Sequence, residues 1–377
     1  MQTLILSCST GQGHNSCAKA IQEVFEANGQ ICVIEDALRF ISPRFAKFMD
    51  WGHATMYRSV PGLFKFGYGF TDTHSGSFKE GSPFYRMLTM GSKRLLEFIR
   101  IGKFDTVICT HNFCGIMLAH ALKKYPAHIY TSMVATDYTC SPGQKDSDLH
   151  RCYIPAAALT QDFIKGKITA EKIIPTGIPV RQMFYHRIPK TKAMTRLGLP
   201  AKDKHIVLMS GSMGCGPIGA LAEKMAAALP GHCHMTIICG TNHKLKAELE
   251  QSLAAYPNMH VKGFVQDVPT MMDSADLYLT KPGRISITEA AVKPLPMVLL
   301  QAVAGCEIYN RDFFLSPGGA VTAEKPDELV QVCLDLLEND DKRQAMVQKL
   351  EALALGNGSR LIYEDIAAHH AAREACV

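Results

Sequence analysis

Apolar, strand-like runs alternate with helix-length segments twice over in this 377-residue chain, and that alternation limits the fold more than any motif does. In the first half the runs are Leu4–Cys8, Ile31–Glu35, Thr106–Cys109, Ile129–Val134 and Cys152–Ile154, with helix patterns at Ser16–Ala27 and Gly115–Lys124. The second half repeats the scheme at His205–Met209, His234–Cys239, His260–Val261, Leu277–Leu279, Met297–Leu300 and Ala320–Val321. Its helix patterns fall at Ile218–Leu229, Leu245–Ala255, Ile287–Val292 and Pro326–Asn339. Strands joined by crossovers of this length pair in parallel, and a parallel sheet needs helices on both faces. The expected fold is α/β, with two doubly wound, Rossmann-like domains and a cleft between them. Pro175-Thr176-Gly177-Ile178-Pro179-Val180, with Pro189 close behind, breaks both periodicities and marks the join. The domains are therefore placed at 1–180 and 181–356, with a C-terminal helix in 357–377 read at Ser359–Ala375.

Hydrophobic residues make up 47% of the chain and charged residues 20%, a globular composition rather than a disordered one. No apolar run reaches the roughly 18–20 residues that span a bilayer, so a transmembrane protein is not expected. Met1-Gln2-Thr3 leads straight into a strand pattern, so no secretory signal is expected either. Thirteen scattered cysteines without a CxxC pair read as reduced thiols in a cytoplasmic protein, and no zinc or other metal site is expected. Residues 1–190 hold 22 Lys and Arg against 14 Asp and Glu, whereas the remainder holds 18 against 21. A basic half suits an anionic partner such as a membrane surface, nucleic acid or phosphorylated ligand; chance asymmetry is the plainer account.

Residues 40–98 stand outside the βα scheme. They carry 13 of the 30 aromatic residues, and eight cations (Arg44, Lys47, Arg58, Lys65, Lys79, Arg86, Lys93, Arg94) against four acids. Phe45, Phe48, Met49, Trp51, Tyr57, Phe64, Phe66 and Tyr68 among those cations suit the headgroup layer of an anionic membrane. The same rings would equally serve as core with the cations as a solvated rim.

Glycine loops follow the first strand of each half. Ser9-Thr10-Gly11-Gln12-Gly13-His14 precedes a helix, and Gly11 and Gly13 let main-chain N–H groups approach an anion at that helix's N-terminus. This is not a dinucleotide fingerprint, because Ser16 stands where the third glycine belongs; Glu35 or Asp36 as a ribose-binding acid keeps a dehydrogenase as a weak alternative. His14, at the mouth of the loop, has the pKa range for accepting a proton from a hydroxyl nucleophile, while a helix-capping or surface histidine is the plainer reading. In the second half Gly211, Gly214 and Gly216, with Ser212, can form an anion-binding nest or simply a tight turn. No GxxxxGK[ST] pattern is present, so ATPase chemistry is not expected.

Further motifs complete a family pattern. Thr10-Gly11-Gln12-Gly13-His14 with Ala18, Phe104-Asp105 with Ile108-Cys109-Thr110-His111, Thr136-Asp137-Tyr138 and Thr176-Gly177-Ile178-Pro179-Val180 lie in the first half. Cys239-Gly240-Thr241-Asn242 with Leu245, Gly263-Phe264-Val265, and Thr280-Lys281-Pro282-Gly283 with Thr288-Glu289-Ala290 lie in the second. In order and spacing they resemble the lipid-directed glycosyltransferases that include plant monogalactosyldiacylglycerol synthase and bacterial processive diacylglycerol glucosyltransferase. These are more distantly similar to the N-acetylglucosaminyl transferase of peptidoglycan assembly. The resemblance covers nearly the whole chain and implies the two-Rossmann GT-B fold of glycosyltransferase family 28.

It also implies a UDP-sugar donor on the C-terminal domain. By position, Phe264-Val265 would hold uracil and Glu289 the ribose hydroxyls. Ser210–Gly216, with Gly211, Ser212 and Gly214, and Ser286 would hold the diphosphate, Gly283 would be a further donor-binding residue, and Glu307 and Asn310 would lie near the sugar. Cys306 stands where the family commonly has glutamine, and Arg284 where a small residue is usual. The implied reaction inverts the anomeric carbon of glucose or galactose, with diacylglycerol or a glycosyl-diacylglycerol as the attacking alcohol. His14 is the expected base, with Asp137 and His111 as rivals, and Gly11 and Gly13 form an acceptor or phosphate loop. No cofactor beyond the donor substrate is expected, nor nucleic acid, and the enzyme would lie peripherally on the cytoplasmic face of the cell membrane. A polyprenyl or soluble acceptor, or a non-enzymatic UDP-sugar or lipid binder, are the alternatives.

Overall fold

The computed structural model describes residues 1–8, 12–48, 78–212, 214, 216, 218–302 and 305–375. These fall into two compact units. One comprises residues 1–182, 305–309 and 355–375; the other comprises 183–302 and 310–354.

The first unit is built on six parallel strands: β1 (Gln2–Ser7), β2 (Ile31–Asp36), β3 (Thr106–Cys109), β4 (Tyr130–Val134), β5 (Arg151–Ile154) and β6 (Ile173–Pro175), in the order β2-β1-β3-β4-β5-β6. Leu4, Ile5 and Leu6 of β1 are wholly buried, as a central strand covered on both faces requires. Leu4 pairs with Val33 on one side and Val107 on the other, so β1 and β3 are neighbours although residues 37–105 separate β2 from β3 in sequence. A doubly wound sheet opens a crevice where its strand order reverses, here beyond the carboxyl ends of β1 and β3.

The second unit repeats the design with β7 (Lys204–Met209), β8 (Cys233–Ile238), β9 (Met259–Lys262), β10 (Leu277–Thr280), β11 (Met297–Leu299) and β12 (Ala320–Thr322). Their order, β12-β11-β10-β7-β8-β9, is the Rossmann order, with its switch point between β7 and β10. Ile206, Leu208, Met235, Ile237, Leu277 and Leu279 form the centre of its core. The two parallel sheets bear out the α/β, two-Rossmann expectation.

Some details differ from the sequence reading. The first helix spans Gln12–Ala27, not Ser16–Ala27, so Gly13 and His14 sit in its first turn rather than in a loop. β6 is a strand that the proline and glycine of the join concealed; it is an edge strand, where Pro175 costs no ladder bond. Residues 78–101 form two helices, Pro83–Thr89 and Ser92–Ile101, the first capped by Ser82 Oγ accepting from Tyr85 N–H at 3.1 Å. Phe78, Tyr85, Leu88 and Leu95 enter the first core, with Phe40, Phe45, Phe84 and Phe98 packed against it. For the described part of 40–98 most aromatic rings are therefore core. Arg44, Lys47 and Phe48 are exposed. Met49, Trp51, Arg58, Tyr57, Phe64, Lys65, Phe66 and Tyr68 lie outside the described residues.

The last helix, Gly358–Glu374, belongs to the first unit. Tyr363 packs edge-on against Phe25 at 5.1 Å between ring centroids, and the hydroxyls of Tyr153 and Tyr130 donate to Asp365 Oδ2 at 2.8 and 3.3 Å. Gly177, at φ +89°, lies so close to the start of this helix that a Cβ on Gly358 would stand 2.5 Å from its carbonyl oxygen. No helix among the described residues is long and apolar enough to cross a membrane.

Candidate active site

Three segments at the switch point of the first sheet converge on one imidazole. His14 lies on the inward stripe of Gln12–Ala27 with Cys17, Ile21 and Phe25, at helical spacing, and is 7% exposed. Its Nδ1 meets the carbonyl oxygen of Thr110, the residue that follows β3, at 2.6 Å. The Thr136 hydroxyl, beyond the end of β4, lies 3.2 Å from the same nitrogen. His14 is thus neither a cap nor a surface residue. A carbonyl at that distance takes the Nδ1 hydrogen and leaves the lone pair on Nε2, the form a general base requires.

His111 adjoins it, with ring centroids 4.4 Å apart and planes at 65°. It is the N-cap of Asn112–Lys124, its Nδ1 accepting from Phe113 N–H at 3.1 Å. Asp137 is 5% exposed and follows Thr136 directly. Gly13 lies in the helix's first turn, while Gly11 is outside the described residues. The structure thus brings His14, His111 and the Thr136-Asp137 segment together.

The second unit builds its site from two interlocked loops. Gly214, at φ +55°, and Gly240, at φ +57°, face each other's chains: a Cβ on Gly240 would lie 2.2 Å from Ser212 O, and one on Gly214 2.3 Å from Cys239 O. Thr241 N–H donates to Ser212 O at 2.9 Å. Asn242 donates from Nδ2 to Gly214 O at 3.1 Å while its Oδ1 caps Leu245 N–H at 3.1 Å. The loop after β7 is thereby fixed in a shape that only glycine tolerates. Gly211, at φ +70°, stands across the switch point beside Lys281, whose Cε would lie 3.3 Å from a Cβ there. Met213, Cys215 and Pro217 of this loop lie outside the described residues.

Gly283 is the N-cap of Arg284–Val292, so Ser286 lies in the first turn and Glu289 five residues into the helix. The main-chain N–H groups at such an end favour an anion. Phe264 is 66% exposed in the loop after β9, with Val265 half-buried beside it. Glu307 and Asn310 sit one turn apart on Cys306–Leu315, both buried. Asn310 is wholly enclosed, and its Nδ2 donates to Pro282 O at 3.3 Å, bracing the loop that ends in Gly283. Among the described residues no group of three or more His, Cys, Asp or Glu could hold a metal ion.

Sequence reasoning missed Thr136 as a partner of His14, because nothing in a lone threonine reveals what it faces. It also missed a cavity of about 220 Å³ in the first unit, whose rim includes Lys145, Lys165 and Lys167.

Solved structures share this architecture. That of Acinetobacter baumannii MurG is 14% identical with a TM-score of 0.65, covering 98% of this chain and 100% of that one. Anabaena Alr3699/HepE in complex with UDP is 15% identical with a TM-score of 0.59, covering 99% and 100%. At such identity the likeness is one of fold, the GT-B fold of glycosyltransferases. Residues 14–180 match the family described as monogalactosyldiacylglycerol (MGDG) synthase, and residues 205–360 the glycosyltransferase family 28 C-terminal domain. The processive diacylglycerol beta-glucosyltransferase of Bacillus pumilus is 26% identical over 366 residues, 96% of this chain and 94% of that protein. Monogalactosyldiacylglycerol synthase 1, chloroplastic, of Arabidopsis thaliana is 26% identical over 347 residues, 89% of this chain and 64% of that protein. The chain is a GT-B glycosyltransferase. It belongs to the family of MGDG synthases and processive diacylglycerol glucosyltransferases, a hexosyltransferase family.

Proposed function

We propose that this enzyme moves glucose or galactose from its UDP-sugar to diacylglycerol, or to a glycosyl-diacylglycerol, at a membrane surface. The observation that carries the reading is the buried His14, whose Nδ1 is taken by the Thr110 carbonyl in the part of the chain that matches the MGDG synthase family. The acceptor hydroxyl gives its proton to His14 Nε2 and its oxygen bonds to the anomeric carbon from the face opposite the diphosphate. The bond from that carbon to the diphosphate oxygen breaks, its electron pair leaves on UDP, and the configuration inverts. Asp137 and His111 are the neighbouring groups that would assume the role if His14 does not.

On the donor side, main-chain N–H groups around Gly211, Ser212 and Gly214 and the helix end at Gly283 and Ser286 suit the growing negative charge on UDP. Glu289 suits a ribose diol, and the exposed Phe264 with Val265 suits uracil. Glu307 and Asn310 would border the sugar, and Gly11 and Gly13 the acceptor side. No step in this reading uses a cofactor. The cation-rich stretch 40–98, with Arg44, Lys47 and Phe48 exposed, is the part assigned to an anionic, cytoplasm-facing membrane.

The test is direct. The purified chain is incubated with diacylglycerol vesicles and UDP-glucose or UDP-galactose separately, and the lipid product is identified by mass and sugar composition. A glycosylated diacylglycerol is expected with one donor. Donor consumed only with a polyprenyl or soluble alcohol would move the acceptor assignment, and binding of UDP without any turnover would make the protein a binder. His14→Ala should abolish transfer while UDP binding persists.

A further inference from the structure

At the switch point of the first sheet each of two touching imidazoles has one ring nitrogen committed to the main chain, in opposite senses. His14 Nδ1 lies 2.6 Å from the Thr110 carbonyl oxygen. A carbonyl can only accept, so Nδ1 bears the hydrogen and the neutral ring's lone pair is on Nε2. His111 Nδ1 instead accepts from Phe113 N–H at 3.1 Å, so that nitrogen bears the lone pair and the hydrogen of the neutral ring is on Nε2. Protonating His111 at Nδ1 would break its helix cap and set a cation at the positive end of the helix, which the macrodipole opposes.

We propose that the main chain of the first unit holds His14 and His111 in opposite tautomers, making His14 Nε2 a proton acceptor and His111 Nε2–H a hydrogen-bond donor, with Thr136 a positioning residue for His14. The Thr136 hydroxyl is 5% exposed as part of its residue and lies 3.2 Å from His14 Nδ1, where it is a second acceptor for the same hydrogen. Two acceptors fix the ring plane. Once Nε2 has taken a proton they also share the charge of the imidazolium. The Thr110 carbonyl occupies the place that a carboxylate occupies in a Ser-His-Asp triad, but it carries no formal charge. It selects the tautomer while holding the protonated ring less tightly, so the proton passes on readily. His111, its Nδ1 held by the cap, supplies an N–H next to the ring that accepts. The tautomers follow from the geometry alone, whereas their kinetic consequence rests on the transferase reading above.

The full chain, labelled with 15N-histidine, tests the tautomers without reference to activity. Two-dimensional 15N–1H spectra at neutral pH, assigned with His14→Gln and His111→Asn, should show Nδ1–H for His14 and Nε2–H for His111. The reverse pattern at either ring, or the same tautomer at both, overturns the proposal. Thr136→Val and Thr136→Ser test the positioning. The valine variant should lose about tenfold in kcat at unchanged KM for the UDP-sugar, with the acid limb of its pH profile moved to lower pH, and serine should restore both. A valine variant with an unmoved profile, or a serine variant as impaired as valine, overturns the positioning role. If His14→Gln turns over normally, the base assigned in the transferase reading is wrong. If it is inactive while Thr136→Val behaves normally, only the present inference fails.

Discussion

Lys293 Nζ lies 2.6 Å from Asp273 Oδ1 inside the second unit, with the two side chains 1% and 7% exposed. The ammonium also donates to His186 O at 2.9 Å, and Asp273 Oδ2 accepts from Ile188 N–H at 3.2 Å. The pair therefore ties residues 186–188 to the helices Val268–Ser274 and Arg284–Val292. Removing one partner of such a pair leaves a buried charge uncompensated. Lys293→Met should cost about 3–5 kcal/mol in urea unfolding, and Lys293→Met with Asp273→Leu should recover most of that loss. A single variant that unfolds at the same urea concentration as the parent would show that the pair is dispensable.

The interlock of the two donor-side loops makes a sharper prediction about binding. Gly240→Ala forces a Cβ into the Ser212 carbonyl and should weaken uridine diphosphate by more than tenfold in calorimetry. Gly231 has open space around its Cβ position and an ordinary φ, so Gly231→Ala is the matched control and should bind as the parent does.

Acid should destabilise the second unit through one residue. His205 is wholly buried, its Nδ1 and Nε2 each 2.8 Å from a hydroxyl, those of Ser274 and Thr236. Ser274 Oγ donates to Met271 O, so it accepts from His205 Nδ1–H, and Nε2 in turn accepts from Thr236. Burial, helped by the positive fields of His260, His234 and Lys190, pushes this imidazole down to about 3. The unfolded chain takes up that proton near the ordinary value of about 6.5, so stability is present above that pH and declines as pH falls toward 3. Urea midpoints at pH 7 and pH 5 should differ more for the parent than for His205→Asn. Equal differences would refute the assignment.

Glu289 is half-buried within Arg284–Val292, so its carboxylate can be neutralised without opening the core. Glu289→Gln should melt with the parent yet bind UDP about tenfold less tightly, the loss expected for a charge-assisted hydrogen bond to a sugar hydroxyl. Deoxyuridine diphosphate should then lose its disadvantage against UDP in the variant.

Much of this was legible in the residues. Both sheets were, because strands buried on both faces carry continuous apolar runs such as Leu4-Ile5-Leu6 and Ile206-Val207-Leu208, which nothing in a surface loop imitates. β6 was not, because three residues ending in Pro175 have the composition of a turn, and only pairing with β5 makes them a strand. The helix Asp340–Ala352 was missed because polar residues dominate it, with Met346 and Leu350 its buried apolar contacts. At the site, His14 could be singled out from its loop, yet its orienting partner is a main-chain carbonyl at Thr110, a group every residue possesses and no sequence marks. Asn310 reads as a sugar ligand by position, while its amide is spent at least in part on Pro282.

The last helix carries a practical consequence for anyone who would dissect the molecule. The half that holds His14 is completed by residues 355–375, which follow the other unit in sequence, so stopping translation after the join would strip Phe25, Tyr130 and Tyr153 of their cover and expose Asp365's hydroxyl donors to water. Isolating that half demands splicing residues 355–375 back on, and a stop codon near position 355 should harm acceptor chemistry although every acceptor-side side chain is still encoded.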